Sequence, residues 1–290
     1  MGKIATLTKD HHTKVIAPDG SSRQYRRTPS AEDVINAYKQ QTEIESQGEY
    51  INLFFATNYD NITDSLLNGE GQKVLNDKIE WGSINEKVGY IHIHSFAGFL
   101  SSDFSRKQQV DSIRKHMSNI IYNLQSKDAI IVDVSFNFGG YDGATLTVAG
   151  FFTDQAVFAY KSQVYNNGSF HDEDNVIVYP SDSMHYIKPV YFLMTDISRS
   201  AAENFGMMMD ALPNVTLVGT PTLGIQSGML GKSISNFYTT YSNQRLINSH
   251  GAYFEVTGLI PEIELTVFDK NDIMNGHKNA VRKVVDMIEK

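Results

Sequence analysis

The chain has 290 residues, 41% of them hydrophobic and 20% charged, which allows one large domain or two small ones. Lys and Arg number 25 against 33 Asp and Glu, and the resulting charge of -8 argues against nucleic acid or an anionic membrane as the main partner. The absence of cysteine excludes disulfides, Cys-ligated zinc, iron–sulfur clusters and a thiol nucleophile.

No apolar run approaches the roughly 18 residues that would span a membrane, and Met1 to Asp10 lacks the basic start and apolar core of a signal peptide. Ala17 to Ser30, with Pro18, Gly20 and Pro29, reads as a loop. Ser30 before Ala31, Glu32 and Asp33 opens a helix predicted to run to about Glu45. A weak boundary follows at Asn68 to Gly71. Val88 to Phe96 reads as a strand, with Tyr90, His92 and His94 on one face and Ile91 and Ile93 on the other. From Asp103 to Leu124, apolar residues recur at spacings of three and four, which predicts a helix.

Ala129 to Val134, Val190 to Met194 and Val215 to Val218 are short apolar runs suited to a sheet buried on both faces. Helices are predicted over Gly143 to Phe152, Ala202 to Leu212 and His277 to Ile288. Further strands are expected at Ile234 to Tyr241 and Gly251 to Val256, and the acidic run His171 to Asp174 reads as a solvated loop. Strands alternating with helices imply an α/β layered domain.

Four local patterns could carry chemistry. Thr195 to Glu203 follows a buried strand and opens a helix; Ser200 and Glu203 fit a capping box, and Ser200 also fits a nucleophile at a helix N-terminus. Asp133 to Gly140 ends another buried strand in Asn137-Phe138-Gly139-Gly140, where glycine lets backbone approach closely. The third is Lys9 to Val15, with the pair His11-His12; by itself it reads as a solvated loop. The fourth, Tyr253 to Glu262, contains Glu255 and runs into a Gly/Pro turn. His92 and His94 share a strand face but have no identifiable third metal ligand. Met207, Met208 and Met209 read as core.

In this order the patterns resemble the S41 peptidases, the family of tricorn core proteases and C-terminal processing proteases. Gly89 to Phe96 resembles the strand opening that family's core, and Asp133 to Gly140 its Asp-x-Arg-x-Asn-x-Gly-Gly segment. Ser198 to Glu203 resembles the nucleophile turn, Val218 to Gly224 the following strand exit, and Glu255 to Glu262 the Glu-x-x-Gly-x-x-Pro-Asp ending. The resemblance implies Ser200 as nucleophile. The lysine base of processing proteases would fall at Ile225, so the tricorn-like histidine is implied instead, at His12, with Glu255 supporting it. Ala201, with Gly139 or Gly140, is the implied oxyanion hole. Ser135 stands where the motif has arginine, His11 where it has Gly or Ser, and no PDZ-like insert lies between His12 and Tyr90.

The resemblance therefore implies a ClpP/crotonase-like layered core at residues 80–290, preceded by a segment at residues 1–79 that supplies the base. It implies serine-type hydrolysis of peptides or proteins through an acyl-enzyme, with no cofactor and no metal. Two alternatives stand beside it: a silent S41-like module that binds peptides or small ligands, and an acyl-CoA enzyme of the crotonase type, which leaves His12, Ser200 and Glu255 unexplained. A base at residue 12 suggests that upstream sequence present in relatives is missing, trimmed with a signal peptide. A periplasmic or secreted location is the expectation.

Overall fold

The computed structural model describes residues 10–24, 30–41 and 47–290. Its centre is a seven-stranded sheet. In chain order the strands are β3 (Gln72–Val74), β4 (Ile79–Ser83), β5 (Val88–Ile93), β6 (Ala129–Asp133), β9 (Val190–Met194), β10 (Val215–Gly219) and β14 (Ile263–Glu264). Their spatial order is β14-β10-β9-β6-β5-β4-β3. From β14 to β5 every pairing is parallel, and β4 and β3 add an antiparallel edge.

The apolar runs find the environment they require. Every residue of β5 and β6 is buried, because helices cover both faces of the sheet. On one face pack α3 (Arg106–Leu124), α4 (Asp142–Ala149) and α5 (Ala201–Asp210), around Ile113, Met117, Val148 and Phe205. On the other lie α1 (Ser30–Gln41), α2 (Gln47–Ser65) and α6 (Gly276–Ile288), around Val34, Phe54, Ile62 and Val281. Strand β5 shows the division at residue level: Ile91 and Ile93 enter the first core, Tyr90 the second. Helix α3 starts later than its periodicity suggests, because Ser105 and Gln108 form a capping box there. The methionines 207–209 are all buried, as are Phe151 and Phe152.

Two antiparallel sheets lie outside this sandwich. One has the order β11-β12-β1-β2, joining β1 (Lys14–Ile16) and β2 (Ser22–Gln24) to β11 (Met229–Ile234) and β12 (Phe237–Ser242). Part of the expected loop at 17–30 is thus strand β2. The remainder of that loop at 25–29 and the expected helix end at 42–46 lie outside the described residues. The other sheet, β13-β7-β8, joins β7 (Val157–Asn166), β8 (Ser169–Val178) and β13 (Gln244–Asn248).

Two expectations need correction. His171 to Asp174 is solvated but belongs to β8; one edge of an exposed hairpin holds it, not a loop. Gly251 to Val256 is not a strand: only Tyr253 bridges to Ile247, and the segment then turns. The strand lies earlier, at β13. Val256 has φ +73°, which breaks an extended run despite the alternating pattern of its side chains.

Candidate active site

Parallel β5, β6, β9 and β10 all deliver their carboxyl ends to one edge of the sheet, where α/β proteins form clefts. The turn after β6 and the turn after β9 are stitched together there. Thr195 Oγ1 donates to the Ser135 carbonyl at 2.6 Å and Ser198 Oγ to the Val134 carbonyl at 2.8 Å, while the Arg199 N–H reaches the Asn137 carbonyl at 3.2 Å. Asn137 ties the same turn to β5, its amide donating to the Ile93 carbonyl at 2.8 Å.

Ser200 sits between β9 and α5 with φ +58° and ψ -129°. A residue with a Cβ holds that conformation only when its surroundings enforce it. Buried Glu203 is the enforcing group. One carboxylate oxygen accepts from Thr222 Oγ1 at 2.5 Å and Gly224 N–H at 2.7 Å; the other accepts from Ile225 N–H at 2.7 Å and Ser200 N–H at 3.2 Å. Burial pushes the Glu203 carboxyl up to about 7, against the pull of these donors. Glu203 therefore caps the helix as its spacing predicts, and also gathers the strand exit after β10 onto the Ser200 turn.

Gly139 lies against that turn. A Cβ on it would meet Ser200 Cβ at 2.8 Å and the Ala201 nitrogen at 3.0 Å, and its φ is +100°. Gly140 is closer still to its neighbour, with the Phe96 carbonyl carbon 2.3 Å from where a Cβ would stand. The Gly139 N–H donates to Asn137 Oδ1 at 2.7 Å. Among the described residues no acceptor is recorded for the N–H groups of Ala201 and Gly140.

His12 and Glu255 come together although 243 positions separate them in the sequence. The His12 turn leads into β1, which pairs with β12, and Thr240 Oγ1 donates to the His12 carbonyl at 2.6 Å. His12 Nδ1 stands 3.6 Å from Glu255 Oε1 and 3.7 Å from Asp10 Oδ1. The Glu255 side is fixed by the N–H groups of Gln226 and Ser227, each 3.0 Å from Oε2. Residues 224–227 link the two halves: the Ile225 carbonyl accepts the Ser200 N–H at 2.9 Å, and the next residue donates to Glu255. His11 is buried, its carbonyl accepting from the Gln24 side chain.

A second buried polar group escaped the sequence reading. Asp133, at the end of β6, accepts from Tyr90 Oη at 2.8 Å and pairs with His277 Nε2 at 2.7 Å. Burial pushes the Asp133 carboxyl up, but His277 and His92 outweigh it and hold the group well below the usual carboxylate range. No spacing could have announced a pair 144 positions apart. His92 and His94 stack at 4.0 Å beside Tyr59. Burial pushes His92 down to about 4 and His94 well below its ordinary value. Neither belongs to a group of three metal-ligating side chains among the described residues. The Ser135 hydroxyl, where an arginine was expected, is buried without a hydrogen bond.

A cavity of about 470 Å³ opens beside this loop, lined by Phe55, Tyr59, Lys73, His94 and Phe138 among others. Its wall residue Ser95 donates to the Gly139 carbonyl at 3.4 Å. Arg199 stacks on Phe138, 4.3 Å from the ring centre.

An α/β sandwich thus carries a positive-φ serine on a strand-to-helix turn, glycines pressed against it, and a carboxylate beside a histidine, side chains of the kinds hydrolases use. The model of peptidase family S41 matches residues 87–265. This chain belongs to that family. A protein from Parabacteroides merdae ATCC 43184 assigned as a peptidase has a similar structure, with a TM-score of 0.75 at 19% identity over 99% of this chain and 80% of its own. Mature CPAF complexed with lactacystin superposes with a TM-score of 0.59 at 16% identity, covering 72% of this chain. A protein from Bacteroides fragilis NCTC 9343 assigned as an S41 protease gives 0.54 at 18% identity, covering 73%. The chain spans 55% of CPAF and 58% of the Bacteroides fragilis protein.

Proposed function

We propose that the chain hydrolyses peptide bonds through an acyl-enzyme, with Ser200 as nucleophile, His12 as general base and Glu255 orienting the imidazole. The observation that carries this reading is the Ser200 backbone, at φ +58° and ψ -129°, held by Glu203 at the start of α5. Strain of this kind is retained where it aims a side chain at a reacting centre. His12 would take the Ser200 proton as the hydroxyl oxygen bonds to the scissile carbonyl carbon, and would then give that proton to the leaving amine. Water attack on the ester, with His12 again as base, would release the acid and restore Ser200.

Ala201 and Gly140 have the N–H groups suited to the developing oxyanion; Gly139, whose N–H is engaged by Asn137, contributes by having no side chain. Peptides or proteins are the substrate class implied by the family. The 470 Å³ cavity beside Phe138 would receive a substrate side chain.

A fluorophosphonate probe tests the reading. Ser200 should be labelled, labelling should vanish in Ser200→Ala, and it should fall at least about a hundredfold in His12→Ala. Absence of labelling in folded wild-type protein would favour a silent binding module. That second reading rests on the 3.6 Å gap between His12 and Glu255, longer than a hydrogen bond.

A further inference from the structure

The gap between His12 and its carboxylates has a chemistry of its own. His12 Nδ1 faces two carboxylate oxygens, Glu255 Oε1 at 3.6 Å and Asp10 Oδ1 at 3.7 Å. Both separations exceed a hydrogen bond. They approach the edge of about 3.3 Å that separates two ligand atoms on a tetrahedral cation with bonds near 2.0–2.1 Å. The three ligand atoms lie within 4.8 Å of one another. His12 Nδ1 and Glu255 Oε1 are buried and make no hydrogen bond, and Glu255 is only 7% exposed. A buried carboxylate oxygen aimed at an imidazole nitrogen with no proton shared between them leaves room for a third species.

The surroundings hold these donors in place. Glu255 Oε2 is fixed by two backbone N–H groups, and Asp10 accepts from the His12 N–H at 2.7 Å and from Thr13 Oγ1 at 2.6 Å. Such contacts orient metal ligands, and at Glu255 they leave Oε1 facing the imidazole. Two carboxylates also balance the charge of a divalent cation.

We propose that Asp10, His12 and Glu255 form a binding site for a zinc-class divalent cation, and that occupation of it switches off hydrolysis. One nitrogen and two oxygens, with a fourth position for water, suit Zn²⁺ better than Ca²⁺ or Mg²⁺, which take six or more oxygen ligands. The inhibitory half rests on the Ser-His-Glu reading above. An ion on Nδ1 uses that nitrogen's lone pair and leaves the proton on Nε2. An imidazole in that tautomer cannot accept a proton from Ser200 at the nitrogen facing away from Glu255. The ion and the general base therefore need opposite tautomers of one ring.

Zn²⁺ and Co²⁺ are the probes, and Ser200→Ala protein separates binding from turnover. Equilibrium dialysis should give one Zn²⁺ per chain, weakened at least about tenfold in Asp10→Asn and in Glu255→Gln, and abolished in His12→Ala. Co²⁺ should show tetrahedral absorption bands that disappear in the same variants, with circular dichroism confirming that each is folded. In wild-type protein Zn²⁺ should block fluorophosphonate labelling of Ser200, and a chelator should restore it. No bound Zn²⁺, or binding unaffected by the three substitutions, overturns the site. Binding through these residues with labelling unaffected by Zn²⁺ overturns the switch. If metal-free protein is never labelled, the hydrolytic reading and the inhibition fall, while the ion site stands on dialysis alone.

Discussion

Gly139 is the residue on which the Ser200 turn depends most directly. Its φ of +100° disfavours any side chain, and a methyl there would press on Ser200 Cβ and on the Ala201 nitrogen. Gly139→Ala should cost about 1–3 kcal/mol of stability from backbone strain. It should lower hydrolysis by about a hundredfold, since displacements of about an ångström at a reacting centre have that effect. Thermal melting and probe labelling of the same preparation separate the two; full labelling would show that the turn tolerates the displacement. Glu203 makes a different contribution. Its four donors come from Ser200, Thr222, Gly224 and Ile225, so Glu203→Gln sets an amide hydrogen against at least one of them. A loss of about 3 kcal/mol is expected, read as a lower urea midpoint at constant m-value. An unchanged midpoint would mean that the carboxylate does not clamp the turn. The sequence showed Glu203 only as a helix cap, because its three other donors lie 19 to 22 positions away.

Strand β5 carries a pH dependence at the scale of an element. His92 is fully buried, both its ring nitrogens lack a hydrogen bond, and burial pushes it down to about 4. Tyr59, His94, Phe136 and His277 pack around its ring, and Asp133 is the nearby carboxylate. An unfolded His92 titrates near 6.5, so between pH 6.5 and 4 the unfolded chain binds the proton that the folded one refuses. Stability must therefore fall as pH drops through that window, by about 3 kcal/mol for this group alone. Chemical denaturation at pH 7 and pH 4.5 should show the loss, and His92→Phe should flatten it. An unaltered slope in the variant would assign the effect to other groups.

The elements also show where local pattern informs and where it does not. The parallel strands were legible because burial on both faces demands continuous apolar runs, as in Ile130-Ile131-Val132. The β7–β8 hairpin turns at Asn167-Gly168, with φ +49° and +89°, but the sequence reading does not find this turn and takes the acidic run after it as loop. An exposed strand needs only backbone pairing, which leaves no hydrophobic signature.

At the scale of the whole molecule, the proposed site depends on β1, a three-residue inner strand of the four-stranded sheet. His12 reaches Glu255 because β1 lies between β12 and β2, with Lys14 to Ile16 in register with Thr240 to Tyr238. Three residues per strand is a short ladder. Among the described residues both apolar cores, by contrast, are built from residue 34 onward. Deleting residues 1–24 should therefore leave a chain that unfolds cooperatively while removing His12 and exposing the backbone edge of β12. Ser200 labelling should fall at least about a hundredfold in this truncated chain. A peptide of residues 10–24 can pair with the exposed β12 edge by strand addition and bring its imidazole to Glu255. Partial recovery of labelling that saturates with peptide concentration is the expected result, and the same peptide carrying His12→Ala should recover nothing. Undiminished labelling of the truncated chain, with its melting transition intact, would show that Ser200 draws its base from elsewhere and that the β1 ladder serves only to close the sheet.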